Sequence, residues 1–325
     1  YDHENISELQ QDRLKVENSI NENIEILTHW SQKNKGINKP KMVFINTSGG
    51  GLRSALWTVH VLNFLDSIRN QRLTKQTHLI TGASGGMIGA AFYRENYKKG
   101  IYGETMVNGN EMKRRISKDL LNPLAFSIAT TDMFYRFKKH DDGKYIYTKD
   151  RGWFFEKNLI ENLNCFEGKR ILDYKLPEYH SDIPMMIFSP SVVNDGRRLL
   201  ISPQKITFLC NTDTSLFSGK IALENIEFST LFNKNDPQYL KISSAMRMNA
   251  TFPYILPMVF LPSEPKIEVM DAGLRDNLGL TTSIKYIDNF KNWIHEHTSG
   301  VVIIQLRDRE KKTKIKDKQS GSLIS

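Results

Sequence analysis

Cysteine is scarce in this chain, with two residues in 325. Cys165 and Cys210 both have apolar neighbours, so buried free thiols are expected rather than a disulfide. No Cys/His spacing typical of a metal site occurs, and His295 and His297 are too close in sequence for a helical zinc-binding pair. No apolar run approaches the roughly 18 residues that a membrane-spanning helix needs. The scarcity of cysteine and the lack of a metal-type spacing argue against a disulfide-stapled fold and a zinc domain.

Positive charge is in excess. The formal net charge is +9 and the sequence pI is about 9.3, which favours contact with an anionic partner. Nucleic acid and an anionic membrane surface are the two candidates, and charge alone does not separate them. The chain begins with Tyr1 rather than Met, so we expect a processed form or part of a longer protein. A cytoplasmic location or one at a membrane face is expected.

The length suits one large α/β domain, or a main domain with an appendage. Residues 1–40 are predicted to form an amphipathic helical segment, and residues 41–306 the main domain. An insert at about 99–167 is predicted to be a helical cap. Residues 307–325 are rich in Lys, Asp, Gly and Ser and are predicted to be a flexible basic tail.

The insert interleaves basic and aromatic residues. This mixture suits a lipid–water interface, but it could also bind nucleic acid by stacking, or be an ordinary cap with a solvated face. The aromatic residues are Phe126, Phe134, Tyr135, Phe137, Tyr145, Tyr147, Trp153, Phe154 and Phe155.

Short apolar runs alternate with helical patterns, which indicates an α/β protein with a mainly parallel sheet. Strands are predicted at 42–45, 77–80, 184–188, 198–201, 207–209, 267–270 and 301–304, and helices at 243–248 and 280–293. A further helix after Arg53 carries apolar residues on two faces, one with Ala55 and Val59 and one with Trp57 and Phe64. It is therefore expected to pack on both sides.

A glycine-rich turn follows the strand at 77–80. Its sequence is Gly82-Ala83-Ser84-Gly85-Gly86, and a helix of small residues comes next. Gly-x-Ser-x-Gly between a strand and a helix is the context of a nucleophile elbow, where the flanking glycines let a strained turn close. The helix start would direct N–H groups at an oxyanion. An ordinary turn or a phosphate-cradling loop is the alternative.

Two more loops end predicted strands. Gly49, Gly50 and Gly51 offer unobstructed N–H groups that suit an oxyanion hole, and the Lys and Ser/Thr of a phosphate-binding P-loop are missing. Arg53 could steady this loop, attract an anionic headgroup or be a plain helix residue. All three loops are expected at one edge of a parallel sheet, where such folds place their sites.

The third loop is Asp271-Ala272-Gly273. Partial burial at the strand end would raise the pKa of Asp271 and make it a competent base for a serine. The alternative role for Asp271 is a turn or helix N-cap residue.

These motifs, in this order, resemble the patatin-like phospholipases, serine acyl hydrolases that use a Ser–Asp dyad without histidine. The segment from Ser243 to Pro253 also resembles the Ser-Ala…Phe-Pro stretch of that family, and the likeness spans roughly residues 41–306. It implies a three-layer α/β/α patatin-like fold with a mainly parallel central sheet, a helical cap region and an N-terminal helix. Ala272 and Ser54 depart from the family pattern, which has glycine at both places.

The resemblance implies a lipid acyl hydrolase of the phospholipase A or lysophospholipase type, acting at an anionic membrane surface. Ser84 would attack the ester and Asp271 would take its proton. The catalytic and oxyanion-hole residues implied are Ser84, Asp271, Gly49, Gly50, Gly51 and Gly85, with Arg53, Gly82, Gly86 and Gly273 in support. No metal or organic cofactor is implied.

Two rival hypotheses remain from the residues. A Ser–His–Asp hydrolase would use His295 or His297 as the base, since the chain order Ser…Asp…His fits. Both histidines, however, are expected at the end of the helix after Asp271, away from the strand-end site. Alternatively, the domain could bind lipid or a partner without catalysis. Nucleic acid is not expected as a partner.

Overall fold

The computed structural model describes residues 12–36, 38–70, 72–120, 139–141, 146–148, 150–210, 224–252 and 256–310. Its helices are α1 (Arg13–Lys33), α2 (Gly51–Ile68), α3 (Arg72–Gln76), α4 (Ser84–Ile101), α5 (Gly109–Ile116), α6 (Arg151–Leu163), α7 (Lys175–Tyr179), α8 (Phe228–Leu231), α9 (Ile242–Ala250), α10 (Leu280–Asn289) and α11 (Lys291–His297). Its strands are β1 (Met42–Thr47), β2 (Thr77–Gly82), β3 (Lys139–Asp141), β4 (Ile146–Thr148), β5 (Met185–Phe188), β6 (Ser191–Val192), β7 (Arg198–Leu200), β8 (Asn225–Glu227), β9 (Val259–Phe260), β10 (Glu268–Met270) and β11 (Val301–Leu306).

A parallel sheet in the order β11-β1-β2-β5 forms the centre of the molecule. Phe44 of β1 lies opposite Ile303 of β11 and Leu79 of β2. Every residue of β1, β2 and β5 is buried, as near-continuous apolar runs in a parallel sheet require. The predicted mainly parallel central sheet is confirmed.

Alternate strand residues supply two separate hydrophobic cores, one on each face of the sheet. Val43 and Ile45 of β1 pack into a core with α2 and α4, whereas Phe44 packs into a core with α1, α10 and α11. Helices therefore cover both faces, and the predicted three-layer α/β/α arrangement is confirmed.

A second sheet, in the order β8-β7-β6-β10-β9, lies beyond β5 and is mixed. Its β10 is antiparallel to both neighbours, β6 and β9. One bridge between Phe188 and Ile201 links the two sheets. The expectation that all three candidate loops end strands of one parallel sheet is therefore wrong, because Asp271 follows β10 of the second sheet.

Three other local predictions are wrong. The second apolar face of α2 is exposed at Trp57, Phe64 and Ile68, so α2 packs on the sheet through one face only. Thr207–Leu209 forms a turn of 3₁₀-helix rather than a strand. The helix predicted at 280–293 is two helices, α10 and α11, which meet at Phe290.

The N-terminal helix packs firmly on the domain over its described part. Ile26, Leu27 and Trp30 are fully buried in the second core, and the Trp30 indole donates a hydrogen bond to the carbonyl of Gln76 at 3.1 Å. Residues 1–11 of the predicted segment lie outside the described residues. Among the helices that the structure describes, none combines the length and the apolar character needed to cross a membrane.

The described part of the insert at 99–167 comprises α5, the β3–β4 hairpin and α6, so it is not purely helical. Met112, Ile116 and Leu159 join the first core, and Phe155 is buried with them. Among the aromatic residues predicted to form an interface, those from Phe126 to Tyr145 lie outside the described residues, and nothing is described of the Tyr147 side chain.

Candidate active site

The backbone at Ser84 has an uncommon conformation. Ser84 follows β2 and opens α4 with φ of +49°, a left-handed conformation that non-glycine residues rarely adopt. Such strain is characteristic of nucleophile elbows, because it lifts the hydroxyl off the strand-to-helix turn. Gly82 ends β2, while Gly85 and Gly86 lie in the first turn of α4, whose N–H groups have no partner within the helix.

The elbow and the glycine loop are in direct backbone contact. A Cβ placed on Gly85 would lie 1.9 Å from the carbonyl oxygen of Gly51, so only glycine allows this approach. Gly51 is the first residue of α2 and Gly50 precedes it. The starts of α2 and α4 therefore lie next to each other beside Ser84. Each helix start carries N–H groups without partners inside its helix and the positive end of the helix dipole.

Gly49 does not contribute to that donor set. Its N–H donates to both the carbonyl oxygen and the side-chain Oδ1 of Asn277, each at 3.1 Å. The expectation that Gly49 helps to bind an oxyanion is therefore wrong for this arrangement. Gly50, Gly51 and Gly85 remain as candidate donors.

Asn277 is a site residue that the sequence reasoning missed. Besides Gly49, its Oδ1 lies close to Gly273, where a Cβ would come within 3.0 Å of it. Asn277 thus joins the glycine loop to the Asp271 loop, which come from different sheets. The only sequence signal was an amide residue shortly after the candidate base.

Asp271 is 3% exposed at the end of β10. Its Oδ1 accepts a hydrogen bond from the N–H of Gly273 at 2.7 Å, while its own N–H donates to the carbonyl of Thr251 at 2.9 Å. These bonds fix the carboxylate in place and assign Gly273 a structural role.

The structure brings Asp271 and Ser84 together. Burial raises the pKa of Asp271, while the N–H of Gly273 and the Ser84 hydroxyl favour its charged form. Oδ2 of Asp271 is buried, and among the described residues no group hydrogen-bonds it with standard geometry. A buried carboxylate oxygen beside a serine hydroxyl is positioned to accept a proton.

The two departures from the family pattern are accommodated. Ala272 is fully buried and begins a turn of 3₁₀-helix with negative φ, so glycine is not required there. Ser54 is buried in the first turn of α2, and its hydroxyl donates to the carbonyl of Ser48 at 2.5 Å. Ser54 therefore ties the glycine loop to its own helix.

Arg53 forms an ion pair with Asp308. Its Nε and Nη2 lie 2.9 and 2.7 Å from Oδ2 of Asp308. The tail predicted to be flexible from residue 307 is therefore anchored at Asp308, and this boundary was placed too early. Residues 311–325 lie outside the described residues.

Buried polar side chains form hydrogen bonds to the end of β2, just before Ser84. Asn249 of α9 donates from Nδ2 to the carbonyl of Gly82 at 3.2 Å and accepts from the N–H of Ser189 at 2.9 Å. Asn46 of β1 donates to Thr81 of β2 at 2.8 Å. These residues looked like ordinary strand and helix positions in the sequence, since their role depends on contacts between distant segments.

His295 and His297 lie at the opposite end of the sheet from Ser84. His295 lines a cavity of about 450 Å³ with Lys39 and Gly300, which precede β1 and β11, whereas Ser84 follows the carboxyl end of β2. Strands of six residues separate these ends by roughly 20 Å. His297 stacks on Trp293 with ring centroids 4.3 Å apart.

Comparison with known proteins agrees with this geometry. The family model described as patatin-like phospholipase matches residues 47–284, a span that contains all three loops. The chain belongs to the patatin-like phospholipase family. Among curated proteins, none matches the sequence significantly.

Two solved structures align with part of this chain at low identity. Human GIVD cytosolic phospholipase A2 aligns at 10% identity with a TM-score of 0.46, over 83% of this chain and 45% of that one. VipD from Legionella pneumophila aligns at 10% identity with a TM-score of 0.35, over 74% of this chain and 47% of that one. The chain thus spans less than half the length of these two proteins.

Replacement of Asp271 by Asn should stabilise the protein at neutral pH. Because the folded pKa of Asp271 lies above the unfolded value of about 3.9, ionisation of Asp271 subtracts from stability as the pH rises through the folded pKa. D271N removes that penalty, so its melting temperature at pH 7 should exceed that of the wild type by a few degrees. Below about pH 4 the difference should vanish.

Asp66 provides the matched control. It is also buried, but its carboxylate accepts hydrogen bonds from the N–H and hydroxyl of Thr74 and from the Tyr93 hydroxyl. D66N should therefore lower the melting temperature. Equal destabilisation by both variants would show that the ionised Asp271 side chain stabilises the fold, as that of Asp66 does, instead of lowering its stability.

Proposed function

We propose that this chain hydrolyses fatty-acyl esters of phospholipids or lysophospholipids through a Ser84–Asp271 dyad. Membership of the patatin-like phospholipases supports lipid acyl hydrolysis at the level of the family. One observation supports the finer proposal: Ser84 has left-handed backbone at the start of α4, and its hydroxyl lies next to the buried carboxylate of Asp271.

In the first half-reaction, Ser84 Oγ attacks the ester carbonyl carbon while its proton passes to Asp271. The carbonyl oxygen becomes an oxyanion and accepts hydrogen bonds from the N–H groups of Gly50, Gly51 and Gly85. Collapse of this intermediate breaks the ester C–O bond. The departing alcohol takes the proton from Asp271, and the acyl group stays on Ser84.

Water completes the cycle. It attacks the acyl-enzyme carbonyl and gives a proton to Asp271, and the same three N–H groups stabilise the second oxyanion. Ser84 Oγ then leaves and recovers the proton, and the fatty acid is released. The raised pKa of Asp271 suits it to both proton transfers, because a carboxylate with an ordinary pKa is a weak base for a hydroxyl.

Exposed apolar side chains flank the dyad and support a lipid substrate. Phe252 follows Thr251, the hydrogen-bond partner of the Asp271 N–H, and Leu274 donates its N–H to the Asp271 carbonyl at 3.3 Å. Both side chains are 53% exposed. An apolar rim beside the nucleophile, on a chain of net charge +9, favours peripheral contact with an anionic membrane surface.

Ser84→Ala should abolish lipid hydrolysis. On vesicles of phosphatidylcholine and phosphatidylglycerol, mass spectrometry should detect free fatty acid and lysolipid from the wild type, and a rate at least about 10³-fold lower from S84A. Ser67→Ala, at an exposed position late in α2, serves as the control and should retain full activity. Absence of products from folded wild-type protein would favour a non-catalytic lipid-binding module.

Replacement of His295 and His297 together by Gln should change ester hydrolysis less than twofold. Both lie at the far end of the sheet, too distant to take the Ser84 proton. The kinetics of the double variant on a soluble ester provide the measurement. A loss comparable to that of S84A would overturn the dyad and restore the Ser–His–Asp hypothesis.

A further inference from the structure

The carboxylate of Asp308 lies against the oxyanion loop. A Cβ on Gly50 would meet Oδ2 of Asp308 at 2.4 Å and its Cγ at 2.8 Å, so Asp308 fills the space that a side chain on Gly50 would take. Gly50 itself has φ of +149°, which favours glycine. Asp308 thus touches the backbone of a residue proposed to bind the oxyanion.

The Asp308 carboxylate is buried, whereas the side chain of its partner Arg53 is exposed to solvent. The Asp308 side chain is 7% exposed, whereas the Arg53 side chain is 55% exposed. The N–H of Asp308 also reaches toward Ser48 Oγ at 3.4 Å, and Leu306, at the end of β11, accepts from the N–H of Ser48 at 2.9 Å. The segment after β11 therefore packs against the glycine loop. Arg53 pairs with the negative charge of Asp308.

The arrangement has an electrostatic consequence for the proposed reaction. An uncompensated carboxylate beside Gly50 would oppose the negative charge that develops on the ester oxygen. Arg53, the third residue of α2, neutralises Asp308 through two hydrogen bonds to one oxygen. Loss of the Arg53 side chain alone would leave the buried Asp308 carboxylate without its cation, next to Gly50.

We propose that Arg53 and Asp308 act as one charge-balanced clamp that positions the oxyanion loop, so that Arg53 serves the reaction through Asp308 rather than as a ligand of the lipid headgroup. The inference rests on the proposed function and assigns both residues as positioning residues. It predicts that the effect of changing Arg53 depends on whether Asp308 is present.

A double-mutant cycle with a short-chain p-nitrophenyl ester tests the clamp, because this substrate has no headgroup. R53Q should lower kcat about tenfold or more with little change in KM. D308N should lower kcat by less. The double variant R53Q/D308N should be no slower than R53Q alone and within about threefold of D308N, since the second change removes the unpaired charge.

Three further variants make the outcome interpretable. R53K retains the positive charge and should keep at least half of the wild-type kcat. R13Q removes an arginine from the exposed Arg13–Glu17 pair on α1 and should leave kcat unchanged. S84A sets the uncatalysed background, so failure of the proposed function would appear as wild-type activity no higher than S84A. Melting temperatures confirm that each variant is folded.

Two results would overturn the clamp. One is a double-variant kcat equal to the product of the two single effects, which means that the residues act independently. The other is an R53Q defect confined to phospholipid vesicles and expressed in KM, which means that Arg53 binds the headgroup. Either result leaves the Ser84–Asp271 proposal standing.

Discussion

Backbone-to-backbone contact between Gly85 and Gly51 is the constraint on which the site depends. It exists because neither residue has a side chain at the point where α4 and α2 begin, and a methyl group on Gly85 would collide with the Gly51 carbonyl. The contact brings two helix N-termini to one space and sets Ser84 at their junction. In the proposed mechanism, backbone N–H groups and helix dipoles rather than charged side chains would therefore stabilise the oxyanion.

The carboxylate reaches this junction from a different part of the fold. Asp271 follows a strand of the second sheet, so the strand pairing of the first sheet does not fix it relative to Ser84. Hydrogen bonds between loops provide a connection: the N–H of Gly49 donates to both the carbonyl oxygen and the side-chain oxygen of Asn277. The Asn249 side chain of α9 bonds the end of β2.

Much of this arrangement could be predicted from the sequence, because short continuous segments encode it. The buried strands β1 and β2 and the elbow are encoded within short segments, in apolar runs followed by glycines and a helix pattern. Ser84, Asp271 and the glycine loop follow from such segments. The predicted second packing face of α2 was wrong because periodicity identifies apolar faces but not what covers them: Trp57 and Phe64 face solvent.

What the sequence could not reveal depends on pairing between distant segments. The placement of β10 in a second sheet, the capture of the Gly49 N–H by Asn277 and the anchoring of Asp308 on Gly50 all join residues far apart in the chain. No local pattern encodes them. Arg53 is an example: its sequence context allowed three roles, and its ion pair with Asp308 joins residues far apart in the chain.

In the proposed mechanism, Asp271 alone activates Ser84. The most direct measurement is the rate at which a fluorophosphonate modifies the protein, followed by intact-mass and peptide mass spectrometry. We expect a single adduct on Ser84 in the wild type and a rate at least about 100-fold lower in folded D271N. An adduct on another residue, or equal rates in the two proteins, would contradict it.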